Sequence, residues 1–225
     1  MSKKRVLLGL SGGKDSAWFA YYLQNKGYDV SAITVNTGFL SPLALPNALA
    51  VAERLSMKHW VISDNLPQFV EIYRDGFKRL RESYDPIVHI CHQCAGVVHS
   101  VIEEHAECHK CPLIAIGITD EDFSTYSIPD GAFSEVLRPP EIGEDKVRGY
   151  LDELKILPWR RSDPIRTNCL INWLMIDCCL KWYGRHPYED LFPKRKLVKR
   201  AVRAASKLGL LRPRLLKRLR SQLLE

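Results

Sequence analysis

Long apolar runs are the first thing this sequence lacks. No stretch of its 225 residues approaches the ~18 consecutive apolar positions that a membrane-spanning helix needs. The opening MSKKRVLLGL is basic, but its apolar part is too short for a signal peptide and runs straight into a glycine-rich turn. A cytoplasmic protein is the expectation. No internal repeat is visible. The cysteines do not pair off: there are seven, an odd number, with no export signal before them. Structural disulfides are therefore not expected, and metal or redox chemistry gains weight. Acid is nearly missing from one place. Residues 193–225 hold twelve of the 33 Lys and Arg but one of the 26 acids, which leaves 21 bases against 25 acids before them. The net charge of +7 thus hides a mildly acidic body and a strongly basic tail.

What is present is a regular alternation. Residues 5–10 read as a buried parallel strand and 16–26 as a helix stopped by Gly27. Residues 28–35 read as a second strand ending in Asn36-Thr37-Gly38-Phe39. Helices over 44–56, 66–82, 94–106, 145–154 and 168–182 follow, with strands at 59–63 and 112–118. Strands alternating with helices predict an α/β fold, a mainly parallel sheet with helices on both faces. Ligands of such sheets sit at the carboxyl ends of the strands, near the switch in strand order. The glycine turn, Asn36–Phe39 and Gly117-Ile118-Thr119-Asp120 all fall at predicted strand ends.

Ser11-Gly12-Gly13-Lys14-Asp15-Ser16 joins the first strand to the first helix. Glycines there let backbone approach a phosphate, and the first N–H groups of the helix point at the anion. Lys14 adds charge, while Ser11 and Ser16 add hydroxyls. A phosphate-bearing ligand, a nucleotide, is expected. The loop is not a Walker A motif: three residues separate Gly9 from Gly13 where that motif needs four, and Asp15 follows Lys14. Nor is there a G-x-G-x-x-G.

Residues 11–16 match in full the SGGKDS signature of the PP-loop ATP pyrophosphatase family, and over about residues 5–170 the chain resembles that family. The resemblance implies a Rossmann-like (HUP-type) sheet, in a domain expected over residues 1–192; charge and apolar spacing set 193–225 apart as a basic amphipathic helical tail. It implies that Ser11, Gly12, Gly13, Lys14, Asp15 and Ser16 hold the pyrophosphate part of ATP. Cleavage between the α- and β-phosphates then adenylates a substrate oxygen. Asn36, Gly38 and Phe39 correspond to the turn beside the nucleotide. Gly117 and Asp120, in GITDED, correspond to a G-H-x-x-D-D-like element of thiolating members, with Ile118 where those often have His. Asp120 is a candidate Mg²⁺ ligand and equally a solvated loop carboxylate. Arg138, before Pro139-Pro140, matches an Arg-Pro element that could stabilise phosphate charge. With Lys14, Asp15 and Asp120 it completes the candidate catalytic set.

Cys91-His92-Gln93-Cys94 and Cys108-His109-Lys110-Cys111 together read as a four-cysteine zinc site. Geometry opposes this. One helix over 94–106 is ~18 Å long, too long for a single zinc to bridge its ends. Thiolating PP-loop enzymes carry a C-x-x-C before a helix and a lone third cysteine much later. By resemblance Cys91, Cys94 and Cys169 are the ligand set of a [4Fe–4S] cluster, with zinc as the alternative metal. Cys178 and Cys179 fall inside an apolar helix and read as core.

In the tail, Leu197, Val198, Ala201, Val202, Ala205 and Leu208 space as one helical stripe and Leu215, Leu216, Leu219 and Leu223 as another. Such a tail could bind nucleic acid, an anionic membrane surface or an acidic partner, or pack on the body with its bases in solvent. Two functions stand beside each other. The first is an ATP-dependent sulfur transferase acting on a tRNA base or a small molecule. The second is an ATP-dependent amidation with ammonia, since SGGKDS, the TGF-like turn, the C-H-x-C pair and the WYGRHPYE stretch (182–189) are also similar to N-acetyl sugar amidotransferases. A sulfur or ammonia donor protein and a homodimer are compatible with either.

Overall fold

The computed structural model describes residues 3–41, 43–117, 136–140, 143–154 and 169–185, together with positions 221, 223 and 224. Five strands, β1 (Arg5–Gly9), β2 (Asp29–Val35), β3 (His59–Ile62), β4 (Leu113–Ile116) and β5 (Val136–Leu137), form one sheet in the order β3-β2-β1-β4-β5. Every pairing is parallel; Leu7 lies opposite Ser31 on one side and Ile114 on the other. The helices are α1 (Lys14–Asn25), α2 (Ala44–Arg54), α3 (Leu66–Glu82), α4 (Gln93–Cys108), α5 (Glu144–Glu153) and α6 (Leu170–Tyr183).

The central strand explains the layering. Val6, Leu7 and Leu8 are wholly buried, as a parallel strand covered on both faces must be. Period two sends Leu7 to one core and Val6 and Leu8 to the other. The first core gathers side chains of α3, α4 and α6, and the second those of α1, α2 and α5. Helix α3 shows why its face is fixed: Phe69, Tyr73, Phe77 and Leu80 recur at helical spacing and are at most 1% exposed. Each such side chain contributes about 1.5–3 kcal/mol, which far exceeds what propensity alone could lend α3. Leu223, from the second tail stripe, is buried in this same core, and Leu224 packs against it. Apart from Ser221, the rest of the tail lies outside the described residues, as does Asp120.

Most expected elements form within two residues of their expected ends. Two features were not anticipated. Val136–Leu137 adds a short fifth strand; two residues carry no periodicity to read. A π-helical stretch, Ile87–His92, precedes α4. Single-turn π segments are frequent at functional sites, and this one carries Cys91. It presses on α3 so closely that a Cβ on Gly76 would lie 2.6 Å from the His89 carbonyl oxygen and 2.8 Å from Ile90 Cγ1. We therefore expect Gly76→Ala to lower the unfolding free energy by about 1–3 kcal/mol, measured by urea denaturation. A change within experimental error would mean that the π segment yields freely.

Candidate active site

The strand order reverses its winding between β1 and β4, where an open α/β sheet offers a crevice at its carboxyl edge. Ser11–Ser16 follows β1 at that point and Gly117 follows β4. The loop's shape is set by close approach. Gly12 has φ +74°, and a Cβ there would sit 1.9 Å from the Ala44 carbonyl oxygen at the start of α2. On the other flank, a Cβ on Gly117 would come within 2.6 Å of the Ser16 nitrogen. Backbone thus packs on backbone on both sides of the loop, which only glycine permits.

Gly13 caps α1 in extended conformation with no side-chain hydrogen bond. The first N–H groups of α1 therefore lack intrahelical partners and remain available to an anion. The Gly13 N–H donates to Ser11 Oγ at 3.2 Å, and Ser11 Oγ lies 3.1 Å from Ser16 Oγ. Ser16 Oγ donates to the Gly13 carbonyl at 3.1 Å. Both hydroxyls are thus tethered to the loop. Lys14 Nζ and Asp15 Oδ1 form a half-exposed ion pair of 2.6 Å. The cradle of amides, hydroxyls and a lysine fits the polyphosphate of a nucleotide. Upstream, Thr34 Oγ1 donates to the Leu10 carbonyl at 2.6 Å and takes a bond of 2.8 Å from His59 Nε2. Burial holds His59 below the usual imidazole range, so the neutral ring can pin the chain just before the loop.

The second expected turn sits beside the loop's strand. Asn36 Oδ1 accepts from the Gly38 N–H at 3.0 Å, Asn36 Nδ2 donates to Ser63 Oγ at 3.2 Å, and Gly38 takes φ +77°. Gly38 is exposed while Phe39 is 6% exposed and meets the Tyr73 ring edge-on at 5.0 Å. Arg138 is half-buried at the carboxyl end of β5.

The cysteines divide as the helix length requires. Helix α4 runs unbroken over 16 residues, about 24 Å. Cys91 and Cys94 stand at its start, while Cys108 ends it and Cys111 lies beyond. One zinc cannot take both pairs. Cys108 is exposed and Cys111 buried; Cys178 and Cys179 are core, as expected. His109 stacks on Trp60 at 4.3 Å.

Cys91, Cys94 and Cys169 all pack against the first core. Tyr73 Oη lies 3.0 Å from Cys94 Sγ. Cys169 acts electrostatically on both Cys94 and Tyr73, and Cys91 Sγ lies 3.8 Å from Oδ1 of Asn172, in the first turn of α6. Cys169 N-caps α6 and bridges to Leu40, and the Leu170 N–H donates to the Phe39 carbonyl at 2.7 Å. The expected third cysteine thus lies against the chain that leaves the Asn36–Phe39 turn. Thiol donors suit soft metals and iron–sulfur clusters. Among the described residues, no three His, Cys, Asp or Glu side chains are gathered at metal-holding separation. Burial pushes the Cys94 thiol up to about 12; Cys169 adds to this and the Tyr73 hydrogen bond opposes it. Cys169 is raised by burial as well. Sequence reasoning did not single out Tyr73 or Asn47. Tyr73 lies on the α3 apolar stripe and carries no signal beyond a core aromatic. Asn47 is a polar residue on the buried side of α2, a signal that was available.

The queuosine biosynthesis protein QueC family matches residues 5–137, more than half of the chain. The chain belongs to the QueC family. It is thereby a member of the PP-loop ATP pyrophosphatases, a superfamily of enzymes. A tRNA-specific 2-thiouridylase, MnmA, of Clostridium perfringens is 34% identical over 91 residues, 35% of this chain and 23% of that protein. A second, from Bacteroides fragilis, is 34% identical over 82 residues, 33% and 22% of the two chains. The matches thus span under a quarter of those relatives' lengths. Among solved structures, an NMN synthetase from Francisella tularensis superposes with TM-score 0.51 at 19% identity, over 68% of this chain and 62% of that one. An NH3-dependent NAD synthetase from Campylobacter jejuni gives 0.51 at 18%, over 69% and 66%. These two likenesses bear on the fold alone. Among the described residues, no helix is long and apolar enough to cross a membrane.

Two outcomes follow from this geometry. Gly12→Ala forces a side chain into the Ala44 carbonyl, and ATP affinity measured by calorimetry should fall at least about tenfold, the loss of one or more hydrogen bonds to charge. The metal-free protein should also lose stability in alkali through Cys94. The free thiol titrates at 9.0 and the folded one at about 12, so below pH 9 both states hold the proton. Above that, the unfolded chain releases it first. Stability relative to Cys94→Ala should therefore fall from pH 9 upward, by at most about 1.4 kcal/mol per pH unit. A pH-independent difference in urea titrations would contradict this.

Proposed function

We propose that this chain is an ATP-dependent sulfur transferase. A carbonyl-type oxygen of the acceptor attacks the α-phosphorus of ATP and pyrophosphate leaves. A sulfur nucleophile of the hydrosulfide class then attacks the activated carbon and AMP leaves with the oxygen. The observation that carries the reading is the pairing of Cys169 with Leu40, the residue directly after the Asn36–Phe39 turn, with Cys94 held close by through Tyr73. Phosphate-cradling and thiol chemistry then share one stretch of chain.

Under this reading the α1 amides, Ser11, Ser16 and Lys14 hold the charge of the departing pyrophosphate, an electrostatic stabilisation of the kind that dominates phosphoryl chemistry. Asp15 orients Lys14 through their ion pair. Asn36, Gly38, Phe39 and Gly117 flank the nucleotide, and Arg138 meets charge at the far edge of the crevice. Asp120 would hold Mg²⁺; it lies outside the described residues. Cys91, Cys94 and Cys169 would hold a [4Fe–4S] cluster, which supplies, when bound, an iron site open to sulfur. The sequence likeness to 2-thiouridylases favours a tRNA base as acceptor over a small molecule. The basic tail offers the phosphate-binding charge such an acceptor needs.

The test is metal and acid-labile sulfide content with an absorption spectrum after anaerobic purification, comparing the unaltered protein with Cys169→Ala. About four iron and four sulfide per chain, lost in the variant, is the expected result. Zinc without iron, unaffected by the substitution, would overturn the sulfur reading and favour ammonia as the nucleophile.

A further inference from the structure

We infer that Asn47, on the second turn of α2, is a positioning residue of the phosphate loop that fixes which way the Gly12–Gly13 peptide faces. The inference rests on the loop being a pyrophosphate cradle and not on the cysteine chemistry. Asn47 is 3% exposed, a rare burial for an amide side chain. Its Nδ2 donates to the Gly12 carbonyl at 3.4 Å across 35 residues of sequence. Its Oδ1 is buried without a hydrogen-bond partner. A buried acceptor left without a donor is costly, and an apolar residue of similar volume would remove that cost. What an apolar residue would not keep is the bond to Gly12.

The consequence for the loop follows from peptide planarity. The carbonyl of Gly12 and the N–H of Gly13 belong to one trans peptide and point in opposite directions. Asn47 holds the carbonyl toward α2, so the N–H is turned away from α2, to the side where Ser11 Oγ accepts it at 3.2 Å. Gly12 sits at φ +74° with no Cβ to resist rotation. Two glycines in succession make this peptide the freest in the loop. Were it to flip, the bond to Ser11 Oγ would be lost and the carbonyl oxygen would stand beside the loop's hydroxyls, where it would repel a phosphate. Helix α2 reinforces the choice from its first turn, where Ala44 packs on Gly12.

The experiment is calorimetric titration of the full chain with inorganic pyrophosphate, for the unaltered protein, Asn47→Leu and Asn47→Ala, with melting temperatures recorded without ligand. Leu keeps the buried volume and removes the donor. A positioning role predicts that Asn47→Leu melts at or above the unaltered temperature yet binds pyrophosphate roughly tenfold more weakly, the loss of an oriented donor to charge. Asn47→Ala supplies the same comparison should the leucine variant not fold. Pyrophosphate affinity within twofold of the unaltered protein in a folded variant would overturn the role and leave Asn47 as packing. Absence of pyrophosphate binding to the unaltered protein would overturn the cradle itself, and this role with it.

Discussion

The contact on which the rest depends is backbone against backbone at Gly12. The carbonyl of Ala44 occupies the space where any side chain on Gly12 would stand. This approach brings the first turn of α2 onto the phosphate loop, and Gly117 does the same from β4 against Ser16. The loop is therefore braced from two sides by elements that the sheet itself holds rigid. A cradle made of amides gains from such bracing, because donors fixed before the ligand arrives need no reorganisation when charge develops. Its glycines are required as much by the walls of the cradle as by its contents.

The segment that leaves β2 does two jobs within a dozen residues. Asn36 and Gly38 shape a turn at the sheet's edge. Phe39 and Leu40 then engage Leu170 and Cys169, and Ala44 and Asn47 close on Gly12. Tyr73 ties in the third element: its ring packs on Phe39, while its hydroxyl meets Cys94 and the Thr37 side chain. A displacement of this segment large enough to move Cys169 would also disturb the loop. The Gly12 loop and Cys169 are thus coupled through one short piece of chain.

Much of this was legible in the sequence, and the reasons differ by feature. The parallel strands read as continuous apolar runs because both faces of the sheet are covered; Val6–Leu8 admits no other interpretation beside a glycine turn. The length of α4 was legible too, and it alone separates the two C-x-x-C pairs. The π segment at Ile87–His92 was not, because its apolar spacing differs little from that of an α-helix over one turn. Asn47 was legible only in part: a polar residue on the buried side of α2 is visible in the sequence, but its role is not. Its partner is a main-chain carbonyl 35 residues away, and a backbone group leaves no mark in sequence. Tyr73 lies on a perfect core stripe; its hydroxyl matters only because Cys94 happens to stand opposite.

The electrostatics of the cysteine region argue for what it is suited to hold. Burial raises Cys94, Cys169 and Tyr73 together; a Cys169 thiolate raises Cys94 further, and both thiolates raise Tyr73. In the metal-free protein these groups stay neutral at physiological pH, so the thiols are poor free nucleophiles. The Tyr73 hydrogen bond is the one named influence that favours a Cys94 thiolate, and it is outweighed by desolvation. A cation inverts the balance, because metal binding displaces protons and turns mutual repulsion into shared attraction. Three half-buried thiols beside a phosphate cradle are thus poorly built for attack on an activated carbon by their own sulfur.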